Sequence, residues 1–136
     1  MPDCSLLSRA YIASQFLPGA KAVLDQLQTA EASMAAPYLL QAEFVSTVRS
    51  LERRGIMSAE HGRDAITTFW GLPIRYDWDP AWVPRALEIA RSIGASRVYD
   101  SIYLACAESY GFTLYTCDDS FARAFDVRPH ALRLVS

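Results

Sequence analysis

Val98-Tyr99-Asp100-Ser101-Ile102-Tyr103-Leu104-Ala105, continued through Gly111 into Phe112-Thr113-Leu114-Tyr115-Thr116-Cys117-Asp118, decides the architecture of this 136-residue chain. Ile102, Leu104, Ala105 and Ala107 recur as one face of a helix over residues 100–110, and Gly111 stands where a helix commonly ends. The strand that follows, residues 112–116, is rich in aromatic and β-branched residues. Toward the C-terminus the same alternation gives a short helix over 120–125 and a strand over 132–135. Toward the N-terminus it gives a helix over 80–93 closed by Gly94, a short strand over 72–76, and a helix over 58–70 capped by Ser58. Before these come a helix over 38–54 ending at Gly55, a strand-to-helix junction at 35–37, and an amphipathic helix over 19–30. Residues 3–7 read as the end of a very short first strand, and the stretch to Phe16 as loop or helix. Helices alternating with short strands imply an α/β class: one domain, residues 1–136, built as a three-layer α/β/α sandwich with a short central parallel sheet.

Half of the chain (51%) is hydrophobic, enough for a core with elements on both faces of a sheet, and the formal charge is -2. That charge excludes a general basic footprint for nucleic acid, so a polyanion must meet a local patch or a metal. The basic residues are Lys21 and twelve arginines, the side chain suited to bidentate phosphate contact. Cys4, Cys106 and Cys117 are odd in number and lack C-x-x-C spacing, which argues against a disulfide framework or structural zinc and for a reducing compartment. No signal-peptide pattern opens the chain and no apolar run reaches about 18 residues. A soluble cytoplasmic protein, not bound to membrane, is expected.

Acids recur where strands give way to helices. Asp3 lies at the possible first strand, Asp100 at a helix start, Asp118 two residues past Thr116, and Glu43 in the first turns of its helix. In open parallel sheets ligands bind beyond the carboxyl ends of the strands. Carboxylates gathered there repel one another unless a cation neutralises them, and oxygen ligands without histidine or thiolate select magnesium or manganese. Such an ion polarises a phosphate oxygen and acidifies bound water, the chemistry of phosphodiester hydrolysis. The competing account is that Asp100 and Asp118 are helix N-caps. Neither capping nor a solvated face explains Glu43, which sits at the edge of an apolar face.

The ordered set Asp3-Cys4-Ser5, Glu43 in Pro37-Tyr38-Leu39-Leu40-Gln41-Ala42-Glu43, Tyr99-Asp100 with Tyr103-Leu104-Ala105, and Thr116-Cys117-Asp118 resembles the PIN domain, in particular the VapC-type toxins of prokaryotic toxin–antitoxin pairs. The resemblance is strongest over residues 35–125. It implies a Mg²⁺- or Mn²⁺-dependent ribonuclease, held inactive by a cognate antitoxin and forming a homodimer. Asp3, Glu43, Asp100 and Asp118 would be its catalytic metal ligands, with Asp119 as a helper and Ser5 and Thr116 as supporting hydroxyls. The chain departs from the family at its start. Only two residues precede Asp3 in place of a full hydrophobic strand, so either the start is shortened or the first strand is displaced and the site degraded. The second case gives the alternative function, a catalytically degraded PIN-like domain that binds protein or RNA.

Arg97 and Arg123, each close in sequence to a site acid, are candidates for RNA phosphate contact. Arg49, Arg53 and Arg54 read as a solvated helix face partly balanced by Glu52. Trp70, Trp78, Trp82 and Tyr76 form an aromatic patch suited to a partner or dimer mate. The helices at 20–30 and 38–54 offer a groove for an antitoxin helix. His61 and His130 have no paired ligand spacing and receive no role. A phosphoacceptor receiver domain also gathers acids at strand ends, but it needs a late lysine, and Lys21 is the only lysine.

Overall fold

The computed structural model describes residues 1–30 and 34–136. Its elements run α1 (Cys4–Tyr11), a single 3-10 turn (Ala13–Gln15), α2 (Pro18–Thr29), β1 (Met34–Pro37), α3 (Leu39–Arg53), α4 (Ala59–Trp70), β2 (Ile74–Asp77), α5 (Trp82–Ser92), α6 (Tyr99–Tyr110), β3 (Leu114–Thr116), α7 (Asp119–Arg123) and β4 (Leu132–Leu134). The strands pair in parallel, β1 with β2 and β3 with β4, and among the described residues these are two separate ladders. The chain is thus a mixed α/β protein, mostly helical, with short parallel strand pairs.

The start of the chain differs from its reading as a strand followed by loop or helix. Only Pro2 bridges to Tyr115, flanked by hydrogen bonds from the Tyr115 amide to the Met1 carbonyl (2.9 Å) and from the Asp3 amide to the Tyr115 carbonyl (3.2 Å). Helix α1 then begins at once, because the Asp3 carboxylate accepts from the Leu6 amide and caps it. Leu6, Leu7 and Ala10 are buried at helical spacing, and α1 packs against α2, α3 and α4. The strand-to-helix junction expected at 35–37 is the end of strand β1, which leads through Tyr38 into α3. All four of its residues are buried, so it lacks the alternation that marks a half-exposed strand.

Helix α6 runs through the middle of the molecule, buried on every side from Ser101 to Ala107. Gly111 ends it at φ 66°, a left-handed backbone that glycine adopts without the Cβ clash other residues meet. Helix α5 packs along it, and Trp82 joins the two by donating its indole N–H to Ser109 Oγ at 2.9 Å. Helices α3 and α4 meet through Phe44 and Phe69, stacked with centroids 4.4 Å apart. Gly62 permits that approach: a Cβ there would stand 3.0 Å from Val48 Cγ1 and closer still to the Glu52 carboxylate. Within the aromatic patch only Trp82 is core, whereas Trp70 and Trp78 remain about half exposed. Among the described residues no helix is long and apolar enough to cross a membrane.

Candidate active site

Four acids from different parts of the chain line one cavity of about 510 Å³: Asp3, Glu43, Asp100 and Asp118. Each is delivered by a separate element. Asp3 follows the residue that bridges to β3, and Asp118 lies two residues past the end of that strand. Glu43 is on the second turn of α3, and Asp100 is the second residue of α6. Ser5, supplied by α1, and Asp119 complete the acidic rim.

A hydroxyl network fixes the two acids nearest β3. Ser5 Oγ donates to Asp3 Oδ1 at 2.7 Å, accepts from the Cys117 amide at 2.8 Å, and lies 3.1 Å from Thr116 Oγ1. Thr116 Oγ1 in turn accepts from the Asp118 amide at 3.0 Å. The supporting roles expected of Ser5 and Thr116 thus have a concrete geometry. Ser5→Ala removes a donor from Asp3 and strands the Cys117 amide, and we expect it to cost about 1–3 kcal/mol, read as a lowered Tm. A Tm equal to wild type would show that water replaces the hydroxyl at no cost.

Capping accounts for some of the acids and not others. Asp3 caps α1, and Asp118 caps α7 by accepting from the Phe121 amide at 2.9 Å. Asp100 caps nothing: the cap position of α6 is Val98, which has no side-chain bond to give, and no hydrogen bond among the described residues reaches the Asp100 carboxylate. Glu43 is half-buried and accepts from the Tyr103 hydroxyl at 2.5 Å.

The charges press on one another. Burial, with a smaller push from Asp100, raises Asp3 to about 6 against the pull of Thr116, the Leu6 amide and Ser5. Glu43 is raised by desolvation and by Asp100, while Tyr103 opposes the rise. Asp100 is itself raised, first by the loss of surrounding water and then by Asp118. Asp100 lines the cavity as an exposed residue. Asp100 is therefore the centre through which the other three acids interact. Among the described residues no arginine or lysine pairs with any of the four.

This excess of oxygen donors and negative charge fits a hard divalent cation, which neutralises the repulsion and suits carboxylate and hydroxyl ligands. The acids are spread around the cavity wall, and among the described residues no three form a compact cage. Cys4 and Cys117 line the same cavity, but burial pushes each thiol up to about 11, away from the thiolate that reactivity requires.

Of the two arginines expected to meet RNA, Arg123 is held by Asp119 at 2.7 Å and lines neither this cavity nor its neighbour. Arg97 lines an adjoining cavity. Wall residues given no role from the sequence include Arg9, Ser8 and Tyr103. Ser5, Ser8 and Arg9 share one face of α1 at i, i+3, i+4 spacing, a signal available only once residues 4–11 are read as a helix. Tyr103 falls one turn after Asp100 on α6.

No protein-family model matches the sequence, and no curated protein is significantly similar to it. Among solved structures, the crystal structure of PAE2754 from Pyrobaculum aerophilum is similar to it. The two share 20% identity at a TM-score of 0.59, over 94% of this chain and 85% of that one. At that identity the similarity extends to the fold alone.

Proposed function

We propose that this chain is a PIN-type endoribonuclease that hydrolyses RNA phosphodiester bonds with Mg²⁺ or Mn²⁺, and that it is the toxin of a type II toxin–antitoxin pair. The finer fold reading, a three-layer α/β/α sandwich around a short central parallel sheet, belongs to this proposal, as do a cognate antitoxin, a homodimer and a cytoplasmic setting. The observation that carries it is the convergence of Asp3, Glu43, Asp100 and Asp118 on one cavity, electrostatically linked through Asp100, with no arginine or lysine ion-paired to any of them among the described residues. These four residues would hold the ion. A bound divalent cation supplies Lewis-acid polarisation of the scissile phosphate and a water acidic enough to attack at neutral pH. Around it, Ser5 and Thr116 set the Asp3 carboxylate and the Asp118 backbone, Tyr103 holds one oxygen of Glu43, and Arg9 offers a phosphate partner on the same wall.

Two observations favour a second reading, a catalytically degraded PIN-like domain acting as a protein- or RNA-binding module. Asp3 and Asp118 already spend an oxygen each on helix caps, and Asp3 follows a single bridging residue instead of a full strand. Incubation of a mixed structured RNA pool with purified, antitoxin-free chain in Mg²⁺ or Mn²⁺ separates the two. Cutting abolished by EDTA supports the nuclease. RNA retained but left whole by a folded chain supports the binding module.

A further inference from the structure

A second cavity, of about 620 Å³, adjoins the acidic one and shares with it a wall of Cys4, Gln15, Glu43 and Thr47. Its far side is chemically different: it carries Arg54, at the C-terminal end of α3, together with Arg97 and Tyr99. Tyr99 and Asp100 are consecutive residues that face different cavities, the tyrosine lining the second and the acid the first. Tyr99 is 48% exposed, so part of its ring is open to a ligand. Elsewhere Lys21, Arg49, Arg85 and Arg123 are taken up by acidic partners, whereas neither Arg54 nor Arg97 forms an ion pair among the described residues. Arg9 lines the acidic cavity, and two further arginines, Arg54 and Arg97, stand one cavity away beside an open aromatic ring.

We propose that the second cavity is a nucleotide subsite for an unpaired RNA strand, in which Tyr99 stacks on one base while Arg97 and Arg54 hold the phosphate next to the one at the acids. This rests on the RNA-hydrolase reading for the polarity of the strand across the two cavities. Stacking on a single tyrosine requires a base free of its helix, so duplex RNA is excluded from this position. The two arginines meet the phosphate through charge and bidentate hydrogen bonds, and the ring accepts any base because every base has a π-face.

The test is fluorescence anisotropy with a short, labelled, mixed-sequence single-stranded RNA and the full chain carrying Asp100→Asn, which spares the strand from cutting. Adding Tyr99→Ala weakens binding about tenfold, and Tyr99→Phe leaves it within about twofold. Arg97→Gln and Arg54→Gln each weaken it and lower the slope of log affinity against log salt by about one. Arg91→Gln, outside both cavities, changes nothing. Equal binding by the Tyr99→Ala variant and its parent, or equal affinity for duplex and single strand, overturns the subsite. If that happens while the wild-type chain still cuts RNA, the hydrolase reading stands without it. If Tyr99-dependent binding is found with a wild-type chain that never cuts, the subsite stands and hydrolysis falls.

Discussion

On the proposed hydrolase reading, Asp100→Asn is expected to lower metal-dependent RNA cutting by about 10²–10³-fold while the protein stays folded. The size follows from removing one charged ligand from a cation asked to supply several kcal/mol of transition-state stabilisation. The selectivity follows from where Asp100 stands. It neither caps α6 nor accepts a hydrogen bond among the described residues, so the fold does not depend on its charge. Its charge also adds, after burial, to what raises Asp3 and Glu43, so neutralising it relieves some repulsion and leaves Tm unchanged or higher. Initial rates at saturating Mg²⁺, with thermal melts of the same preparations, check both halves. Cutting within about twofold of wild type would remove Asp100 from the chemistry, and a collapsed melt would make its role structural.

Asp3→Asn should stabilise the metal-free protein at neutral pH and do little in acid. Burial raises Asp3 from an ordinary 3.8 to about 6, so the folded state prefers the protonated carboxyl. A group shifted in this direction contributes stability that is fully present below about pH 4 and is lost as pH rises through about 6. Two pKa units correspond to about 3 kcal/mol, an upper figure for what the ionised wild type gives up above pH 6. Asparagine caps a helix as well as aspartate does and can still accept from the Leu6 amide, but it carries no proton to lose. Urea unfolding in EDTA near pH 4 and near pH 7.5 therefore gives a stability difference between variant and wild type that opens with pH. Glu43 and Asp100 are raised as well, so the wild-type slope is only partly removed. Parallel stabilities across the range would mean that Asp3 is not held away from water.

How much of this was legible in the sequence depended on the kind of signal. Helices with one apolar face, such as Leu39–Arg53 and Ala59–Trp70, announce themselves by spacing, and glycine at 55 and 111 marks two of the ends. Strand β1 did not, because Met34-Ala35-Ala36-Pro37 is buried on both faces and has no β-branched or aromatic residue. Helix α1 was hidden by its brevity and by an Asp-Cys-Ser start that reads as a strand end equally well. Asp3, Asp100 and Asp118 were read from their positions at element junctions, since chemistry at the ends of strands is a topological regularity, and Glu43 from its place at the edge of an apolar helix face. Their partners were harder to see. That Ser5 joins Asp3 to Thr116 and Cys117, more than a hundred residues away, follows only from residues 1–3 lying beside β3. The division of arginines, with Arg123 tied to Asp119 and Arg54 and Arg97 left to a second cavity, likewise depends on three-dimensional neighbours that local charge patterning does not encode.

The central claim is that Asp3, Glu43, Asp100 and Asp118 act together as a divalent-cation site. Isothermal titration of the purified, EDTA-stripped and dialysed chain with Mn²⁺ near pH 7.5 tests it most directly, with Asp100→Asn run alongside. The account predicts saturable binding by the wild-type chain at this pH, where the Asp3 carboxyl is already ionised, and its loss in the variant. A folded wild-type chain that binds no Mn²⁺, or a variant that binds it equally well, would contradict the account.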